Sequence, residues 1–313
     1  MKKYSKVLSL ALAFVMLFAL CACGTAASSP AAEPTAAPAA DAPASEAPAE
    51  TEAPAESQGV LDQIKADGVL YVTLSPDFAP MEFVDSSKDG QEQYVGFDVT
   101  LAKYIADYIG VDLVIEPMSF DACQTAVYTG SVPMSISGYS WTEERGENYE
   151  ISDYYYAGDN ETEQVILIKK TDADKYTSAE DFSGVDVGAQ NASLQMNLLT
   201  SQLPDANPIT IGDLGVGVLE LQNGSIEALA VAKGNAEMIL DSNPDLMICS
   251  WEFEVAAEYE ANVILITKGE TALLNVVNEA LAKAYADGLY GTWYEDAVAL
   301  AKSENAAEVS VED

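Results

Sequence analysis

The side chains that could do chemistry are unusual here, because the 313 residues include no histidine and a single arginine, Arg145. Histidine is the most common general base and a frequent metal ligand. Without it, neither a Ser-His-Asp nor a Cys-His arrangement can form. The 51 Asp and Glu residues bring some carboxylates close together by number alone. The sequence therefore predicts no catalytic residue, no metal site and no cofactor.

Nucleotides and nucleic acids are also disfavoured as partners. Gly212, Gly215 and Gly217 lie at the start of and within a predicted helix, but their spacing matches neither a dinucleotide-binding fingerprint nor a phosphate loop. The net charge of −37 at pH 7 repels nucleic acid and anionic surfaces. We therefore expect neither kind of partner.

The first 23 residues predict export. Lys2, Lys3 and Lys6 precede an apolar run from Val7 to Leu20, which is short for a transmembrane helix and typical of a secretion signal.

The run ends in Leu20-Cys21-Ala22-Cys23, which resembles the bacterial lipobox with Cys23 as the lipidated residue. Cys21 fits less well, because the bulky Leu20 precedes it. The alternative is an uncleaved anchor in which Cys23 is an ordinary residue. Lipidation predicts a chain outside the cytoplasm, tethered to the cell membrane.

A segment from Gly24 to Gln58 separates this N-terminus from the rest of the chain. It is rich in Ala, Pro, Glu, Ser and Thr and has no Lys or Arg, so it cannot bury enough apolar surface to fold. We expect a disordered linker over residues 23–58 and an acidic tail over residues 303–313.

Two cysteines remain in the region between the linker and the tail, Cys123 and Cys249. They could pair as a disulfide. Each lies in an apolar stretch, however, which favours two buried free thiols.

The region from Gly59 to Lys302 alternates short β-rich runs with helical patterns, which predicts βαβ units and an α/β fold. Ligands of such folds bind at the carboxyl ends of strands. The predicted strands are Val69–Leu74, Val111–Ile115, Met134–Ser137, Gln164–Ile168, Val185–Ala189, Ile209–Ile211, Ala228–Ala232, Leu246–Ser250 and Val263–Thr267.

Helix limits follow from spacing and from capping residues. Leu101, Ile105 and Ile109 lie four residues apart and predict one buried helix face, ended by Gly110. We predict that Asp121 caps the next helix and that Thr142 caps a third. The last long helix is expected over Ala272–Asp287.

Five segments, in this order, resemble the polar-amino-acid solute-binding proteins of ABC importers, which are extracellular solute-binding proteins of family 3. The resemblance extends from Gly59 to about Lys302 without a break. The segments are Ser75-Pro76-Asp77-Phe78-Ala79-Pro80-Met81-Glu82-Phe83, Val95-Gly96-Phe97-Asp98, Ser137-Gly138-Tyr139-Ser140-Trp141-Thr142-Glu143-Glu144-Arg145, Ile151-Ser152-Asp153-Tyr154-Tyr155, and Ala286-Asp287-Gly288 through Trp293.

The resemblance implies a type II periplasmic-binding fold, in which two Rossmann-like α/β lobes with mixed sheets are joined by two crossover strands. Lobe 1 would comprise residues 59–156 and 263–302, and lobe 2 residues 157–262. The crossovers would lie near residues 155–159 and 258–262. A solute would bind between the lobes, which close around it by hinge motion.

The same resemblance implies a set of ligand-binding residues. Arg145 matches an arginine that holds the ligand's carboxylate, for which a guanidinium fork is well suited. The other implied positions have structural alternatives, as core aromatics, a tight turn or a helix cap. They are two aromatic residues that would sandwich the ligand and four that would offer backbone or hydroxyl groups: Phe78, Phe120, Gly138, Ser140, Ala192 and Ser193.

Two positions depart from the family pattern. Ala232, followed by Lys233, stands where the family has an aspartate that receives the ligand's ammonium, and Ser75 stands where proteins for basic amino acids carry an acid. Truncating one member of a buried charge pair costs about 2–5 kcal/mol. Either the ligand lacks a conventional ammonium, or another acid such as Asp77, Glu82 or Glu237 replaces the missing one.

The resemblance thus implies a monomeric binding protein, and no enzyme, that delivers an amino acid or an analogue to an ABC permease. One alternative is an enzyme on the same fold, a dehydratase that uses carboxylates. A second alternative is a sensor or adhesion lipoprotein that uses its lobes for protein contact.

Overall fold

The computed structural model describes residues 59–156, 163–259, 262–303 and 306–307. The proposed signal, the lipidation site at Cys23, the linker and most of the acidic tail lie outside these ranges. Within the described ranges no helix is long and apolar enough to cross a membrane.

The described residues form an α/β structure whose helices are α1 (Val60–Asp67), α2 (Phe97–Ile109), α3 (Phe120–Tyr128), α4 (Glu143–Asn148), α5 (Leu194–Gln202), α6 (Leu214–Asn223), α7 (Lys233–Ser242), α8 (Thr271–Ala286) and α9 (Leu289–Ala301). The strands are β1 (Val69–Leu74), β2 (Phe83–Asp85), β3 (Tyr94–Val95), β4 (Asp112–Pro117), β5 (Met134–Ser140), β6 (Glu150–Ile151), β7 (Gln164–Lys169), β8 (Asp186–Gln190), β9 (Asn207–Ile211), β10 (Ala228–Ala232), β11 (Leu246–Ile248), β12 (Asn262–Ile266) and β13 (Ala306–Ala307).

The first lobe is built on a five-stranded sheet of order β4-β1-β5-β12-β6. β1 runs parallel to β4 and β5, whereas β12 runs antiparallel to β5 and β6. Side chains of β12 alternate between two cores, because Ile264 and Ile266 join the core that includes α2 and α8, while Val263 and Leu265 join the core that includes α3. The sheet is therefore covered by helices on both faces.

The second lobe is built on a five-stranded sheet of order β11-β7-β10-β8-β9. β10, β8 and β9 are parallel, and β7 runs antiparallel to β10 and β11. Ile166 and Ile168 face one core, and Val165 and Leu167 face the other. A small third sheet of order β13-β2-β3 lies in the part of the chain around Phe83.

The two lobes meet where the chain crosses between them. Tyr155 and Asn262 form an isolated antiparallel bridge, and Tyr155 N donates to the carbonyl oxygen of Asn262 at 3.0 Å. These residues are the described ends of the two predicted crossovers. The residues between them and the second lobe lie partly outside the described ranges, so the lobe boundaries stay predictions.

Several predicted elements agree with the structure. α2 buries Leu101 and Ile105 completely and ends at Gly110, which adopts a left-handed conformation with φ of 88°. The Thr142 side chain caps α4 by accepting from Arg145 N at 3.2 Å. Cys123 and Cys249 are both free and buried, as the apolar stretches around them predict.

Several predicted limits differ from the structure by one or two residues, and two predictions beside the cleft were wrong. α3 begins at Phe120, with Ser119 at the cap position, so Asp121 lies inside the helix and bonds to the Ser119 hydroxyl at 2.8 Å. β5 continues to Ser140 instead of ending at Ser137. Gly138 lies inside this strand with φ of 56°, a conformation that glycine adopts without strain.

Candidate ligand-binding cleft

A small cavity of about 20 Å³ lies between the lobes at the carboxyl ends of β5 and β10. Its volume is close to what one water molecule requires, so a molecule the size of an amino acid enters only when the lobes separate. Both lobes line it. The lining residues are Phe78, Phe120, Gly138, Ser140, Arg145, Gln164, Leu194, Gln195, Ala232 and Asn262.

Arg145 is the buried cation of this cavity. It lies in the first turn of α4, where the Thr142 cap fixes its backbone. Its Nη1 donates to the carbonyl of Ser140 at 2.6 Å, and its Nη2 donates to the carbonyl of Ala192 at 2.9 Å. Its guanidinium carbon lies 5.7 Å from the Phe120 ring centre, within cation–π range.

A guanidinium has five N–H donors, and the third bond shown by Arg145 runs from Nε to Gln124 Oε1 at 3.3 Å. Two donors are therefore left for an acceptor in the cleft. Burial lowers the pKa of Arg145, but a guanidinium stays protonated in proteins. The cavity thus holds a fixed positive charge.

Phe78 and Gly138 form one wall of the cavity. A Cβ atom built on Gly138 would lie 2.7 Å from Cε1 of the Phe78 ring, closer than real contacts allow. The Gly138 N–H is already used, because it donates to Asp98 Oδ2 at 2.8 Å. Gly138 can therefore offer its carbonyl group and the space left by its missing side chain, and its N–H serves the fold.

Ala192 and Ser193 both make contacts that stabilise the structure beside the cavity. The Ser193 hydroxyl accepts from Met196 N at 3.1 Å and caps α5. Ala192 has φ of 57°, which turns its carbonyl toward Arg145 of the other lobe. These two residues lie beside the cavity without lining it, and direct contact of either with a solute stays a prediction.

The cavity lining carries a net positive charge. It contains one cation, Arg145, and no Asp or Glu among the residues the structure places around it. Ala232 occupies the end of β10 with 2% of its surface exposed. Lys233 forms an ion pair with Glu163 on the surface and does not line the cavity, so it adds no second charge there.

Carboxyl groups are buried behind this wall, inside the first lobe. Glu82 bonds to the Ser137 hydroxyl, and Asp98 accepts from the Tyr155 hydroxyl at 3.0 Å. Burial and mutual repulsion raise the pKa of Glu82, and burial raises the pKa of Asp98. Asp98 also accepts from Gly138 N, so this carboxyl group supports strand β5 at Gly138 from behind.

Several cleft residues escaped sequence reasoning. Gln164, Gln195 and Asn262 bring carboxamide groups to the cavity, and Gln195 Nε2 donates to Gln164 Oε1 at 2.6 Å. Asn262 is 5% exposed, and its Nδ2 has no hydrogen-bond partner. No local pattern distinguishes such amides, because the packing of the two lobes brings them together. Within the described ranges, no cluster of Cys, Asp and Glu side chains could hold a metal ion.

Two α/β lobes with mixed sheets, a double crossing and a cleft at the strand ends define a two-lobed binding protein of the type II periplasmic class. Residues 70–297 match the model of the bacterial extracellular solute-binding proteins, family 3. The chain belongs to this family, as the segments from Ser75 to Trp293 predicted.

Known proteins agree with this assignment. A probable histidine-binding protein of Campylobacter jejuni is 26% identical over 71% of this chain and 82% of its own length. A solved amino acid ABC transporter substrate-binding protein of Streptococcus pneumoniae, bound to L-arginine, has a TM-score of 0.71 and 31% identity, covering 78% of this chain and 100% of that one. An ancestral amino-acid-binding protein described as a precursor of cyclohexadienyl dehydratase has a TM-score of 0.65 and 29% identity, covering 76% and 98%.

Proposed function

We propose that this chain captures a small carboxylate solute related to amino acids between its lobes and delivers it to an ABC importer. The observation that carries the proposal is Arg145, a buried guanidinium with two donors left in a cavity lined by no carboxylate. A carboxylate that enters this cavity meets a fixed positive charge. A cationic side chain such as that of arginine would meet no opposite charge.

The position of Ala232 supports a solute that lacks the usual ammonium group. Asp77, Glu82 and Glu237 are the acids that could replace the missing aspartate, and none of them lines the cavity. Asp77 and Glu82 are buried and hydrogen-bonded elsewhere. An ammonium at the family position would therefore lie close to Arg145 without a counterion.

Asn262 favours a solute that carries an oxygen acceptor. Its Nδ2 is a buried donor with no hydrogen-bond partner, and leaving such a donor unpaired costs about 1–3 kcal/mol. A hydroxyl, keto or carboxamide oxygen of the solute could accept from it, whereas an ammonium offers no acceptor. We infer that the solute carries a carboxylate and an uncharged oxygen-bearing group.

The cavity favours binding over catalysis. A dehydratase that used carboxylates would need one within reach of the reacting atoms, and the lining contains none. The buried carboxyl groups of Glu82 and Asp98 are hydrogen-bonded to Ser137 and Gly138 in the wall of the cavity. The chain would thus retain its solute unchanged, and Cys23 would tether it outside the membrane.

A thermal-shift screen tests the proposal directly. The chain from residue 24 onward is heated with amino acids, 2-hydroxy acids, 2-oxo acids and their amides. A binder at 100 times its dissociation constant adds about 2.7 kcal/mol of stability. We expect carboxylates to stabilise the wild type and to stabilise Arg145→Lys much less, because lysine lacks the bidentate fork. Stabilisation by amines alone would contradict the proposal.

A further inference from the structure

Asp77 connects the two lobes. It follows β1 in the first lobe and is 1% exposed. Its Oδ2 accepts from Gln190 Nε2 at the end of β8 and from Leu214 N at the start of α6, both at 2.8 Å. Its Oδ1 accepts from the Ser75 hydroxyl at 2.7 Å. Two of the three groups that donate to the Asp77 side chain therefore belong to the second lobe. Their hydrogen bonds to Asp77 break when the lobes separate.

The charges around Asp77 are all negative or neutral. Asp213, which caps α6, faces it from the second lobe. Glu82 and the thiol of Cys123 face it from the first lobe. Among the described residues, no lysine or arginine forms an ion pair with Asp77. Hydrogen bonds alone thus hold a carboxyl group that burial strips of water.

We propose that Asp77 is a positioning residue for solute capture, which links closure of the lobes to the uptake of a proton. Its bonds to Gln190 and Leu214 form only when the lobes are together. Closure therefore removes the Asp77 carboxylate from water and brings no cation to it. This proposal rests on the proposed function in one respect, which is that capture of a solute requires the lobes to close.

The sign of the pH dependence follows from burial. In the closed lobes, burial raises the pKa of Asp77 from 3.8 to about 7, and in separated lobes water returns the pKa toward its ordinary value. The closed form therefore binds more protons between about pH 4 and pH 7. Closure is favoured as the pH falls through this window and is insensitive to pH above it.

Lobe closure can be measured without any solute. Dyes are attached to cysteines introduced by Lys103→Cys on α2 and Leu219→Cys on α6, both solvent-exposed positions, in the chain from residue 24 onward. Cys123 and Cys249 are buried and react slowly. Single-molecule energy transfer then gives the ratio of closed to open molecules from pH 5 to pH 8.

In the wild type, we expect this ratio to rise as pH falls below about 7, approaching tenfold per pH unit for one proton. Asp77→Asn keeps an acceptor for Gln190 and Leu214 but does not titrate, so its ratio should be flat. Asp121→Asn is the matched control. Asp121 also has a hydrogen bond across the lobes, because its Oδ2 accepts from Asn191 Nδ2 at 2.9 Å. Burial raises the pKa of Asp121, but its hydrogen bonds outweigh burial, so the pKa is lowered.

The Asp121→Asn variant should therefore keep the wild-type pH dependence. A wild-type ratio that does not change between pH 5 and pH 8, or an Asp77→Asn variant that keeps the dependence, would overturn the proposal.

A second variant is available should Asp77→Asn fail to fold. Gln190→Ala leaves Asp77 in place and removes one of its donors, and it should lower the closed fraction at pH 6. An unchanged fraction overturns the proposal equally. Because no solute is added, none of these results depends on the proposed function.

Discussion

Two aromatic residues of the cleft offer apolar surface to a solute. Phe78 and Phe120 both line the cavity, and Phe120 packs on Tyr139 with ring centres 5.0 Å apart. Aromatic side chains dominate the energetics of such pockets. We expect Phe78→Ala and Phe120→Ala each to weaken solute binding by more than about 1 kcal/mol, measured by calorimetry. Unchanged affinity with lowered stability would identify both as core residues.

Gly138 is the position where the cleft tolerates the least change. Gly138→Ala places a methyl group against the Phe78 ring at a left-handed backbone, and the conformation alone costs about 1–2 kcal/mol. We expect a larger loss of unfolding free energy than this, together with weaker binding. Gly110→Ala is the control, since Gly110 has φ of 88° and open space around its Cβ position. Equal losses in the two variants would show that the Phe78 contact contributes nothing.

The site residues that belong to a family motif could be predicted from the sequence, and those outside any motif could not. Arg145 and Phe78 lie in segments that resemble the family, Phe120 is a position that the resemblance implies, and all three line the cavity. Gln164 and Asn262 also line it, at the starts of β7 and β12, and nothing in their neighbouring residues indicates this. The contacts of Asp77 across the lobes could not be predicted, because its partners Gln190 and Leu214 lie more than 100 residues away in the sequence.

At the scale of helices and strands, the start of α5 combines a structural and a predicted binding role. Ser193 caps the helix by accepting from Met196 N. Ser193→Ala should lower the free energy of unfolding by about 1 kcal/mol, measured by urea denaturation without solute. Ser193→Thr keeps the hydroxyl and should recover most of this loss. Equal stability of Ser193→Ala and the wild type would contradict the capping role.

Elements with strong local patterns were predicted well, whereas irregular ones were not. The spacing of Leu101 and Ile105 and the stop at Gly110 predicted α2 and its C-terminal end correctly, because burial of one face decides that helix. The end of β5 was missed because Gly138 and Ser140 are poor strand formers. Pairing with β12 at Tyr139 and Ser140 holds them in the sheet, and this tertiary contact outweighs local preference.

For the whole molecule, anchoring is a prediction that concerns residues outside the described ranges. If Cys23 carries the lipid, Cys23→Ser should yield a soluble or unprocessed product, because a diacylglyceryl group is the proposed tether. Cys21→Ser should remain in the membrane fraction after cell fractionation and immunoblotting. Normal anchoring of the Cys23→Ser protein would show that the lipobox assignment is wrong.

The central claim concerns the charge of the closed cleft, and calorimetry with one amino acid and its 2-hydroxy analogue tests it most directly. The side chain of the pair is chosen from the thermal-shift screen. Three proteins are titrated: the wild type, Ala232→Asp and Ala232→Asn. Ala232 precedes α7 at its cap position, where Asp and Asn cap a helix equally well. The Asn variant therefore controls for capping and for size.

We predict that the wild type prefers the hydroxy acid, because the cavity offers Arg145 and the Asn262 donor but no carboxylate. Ala232→Asp should shift the preference toward the amino acid by at least about tenfold, or about 1.4 kcal/mol, and Ala232→Asn should not. A wild type that binds the amino acid far more tightly than its hydroxy analogue would contradict the account.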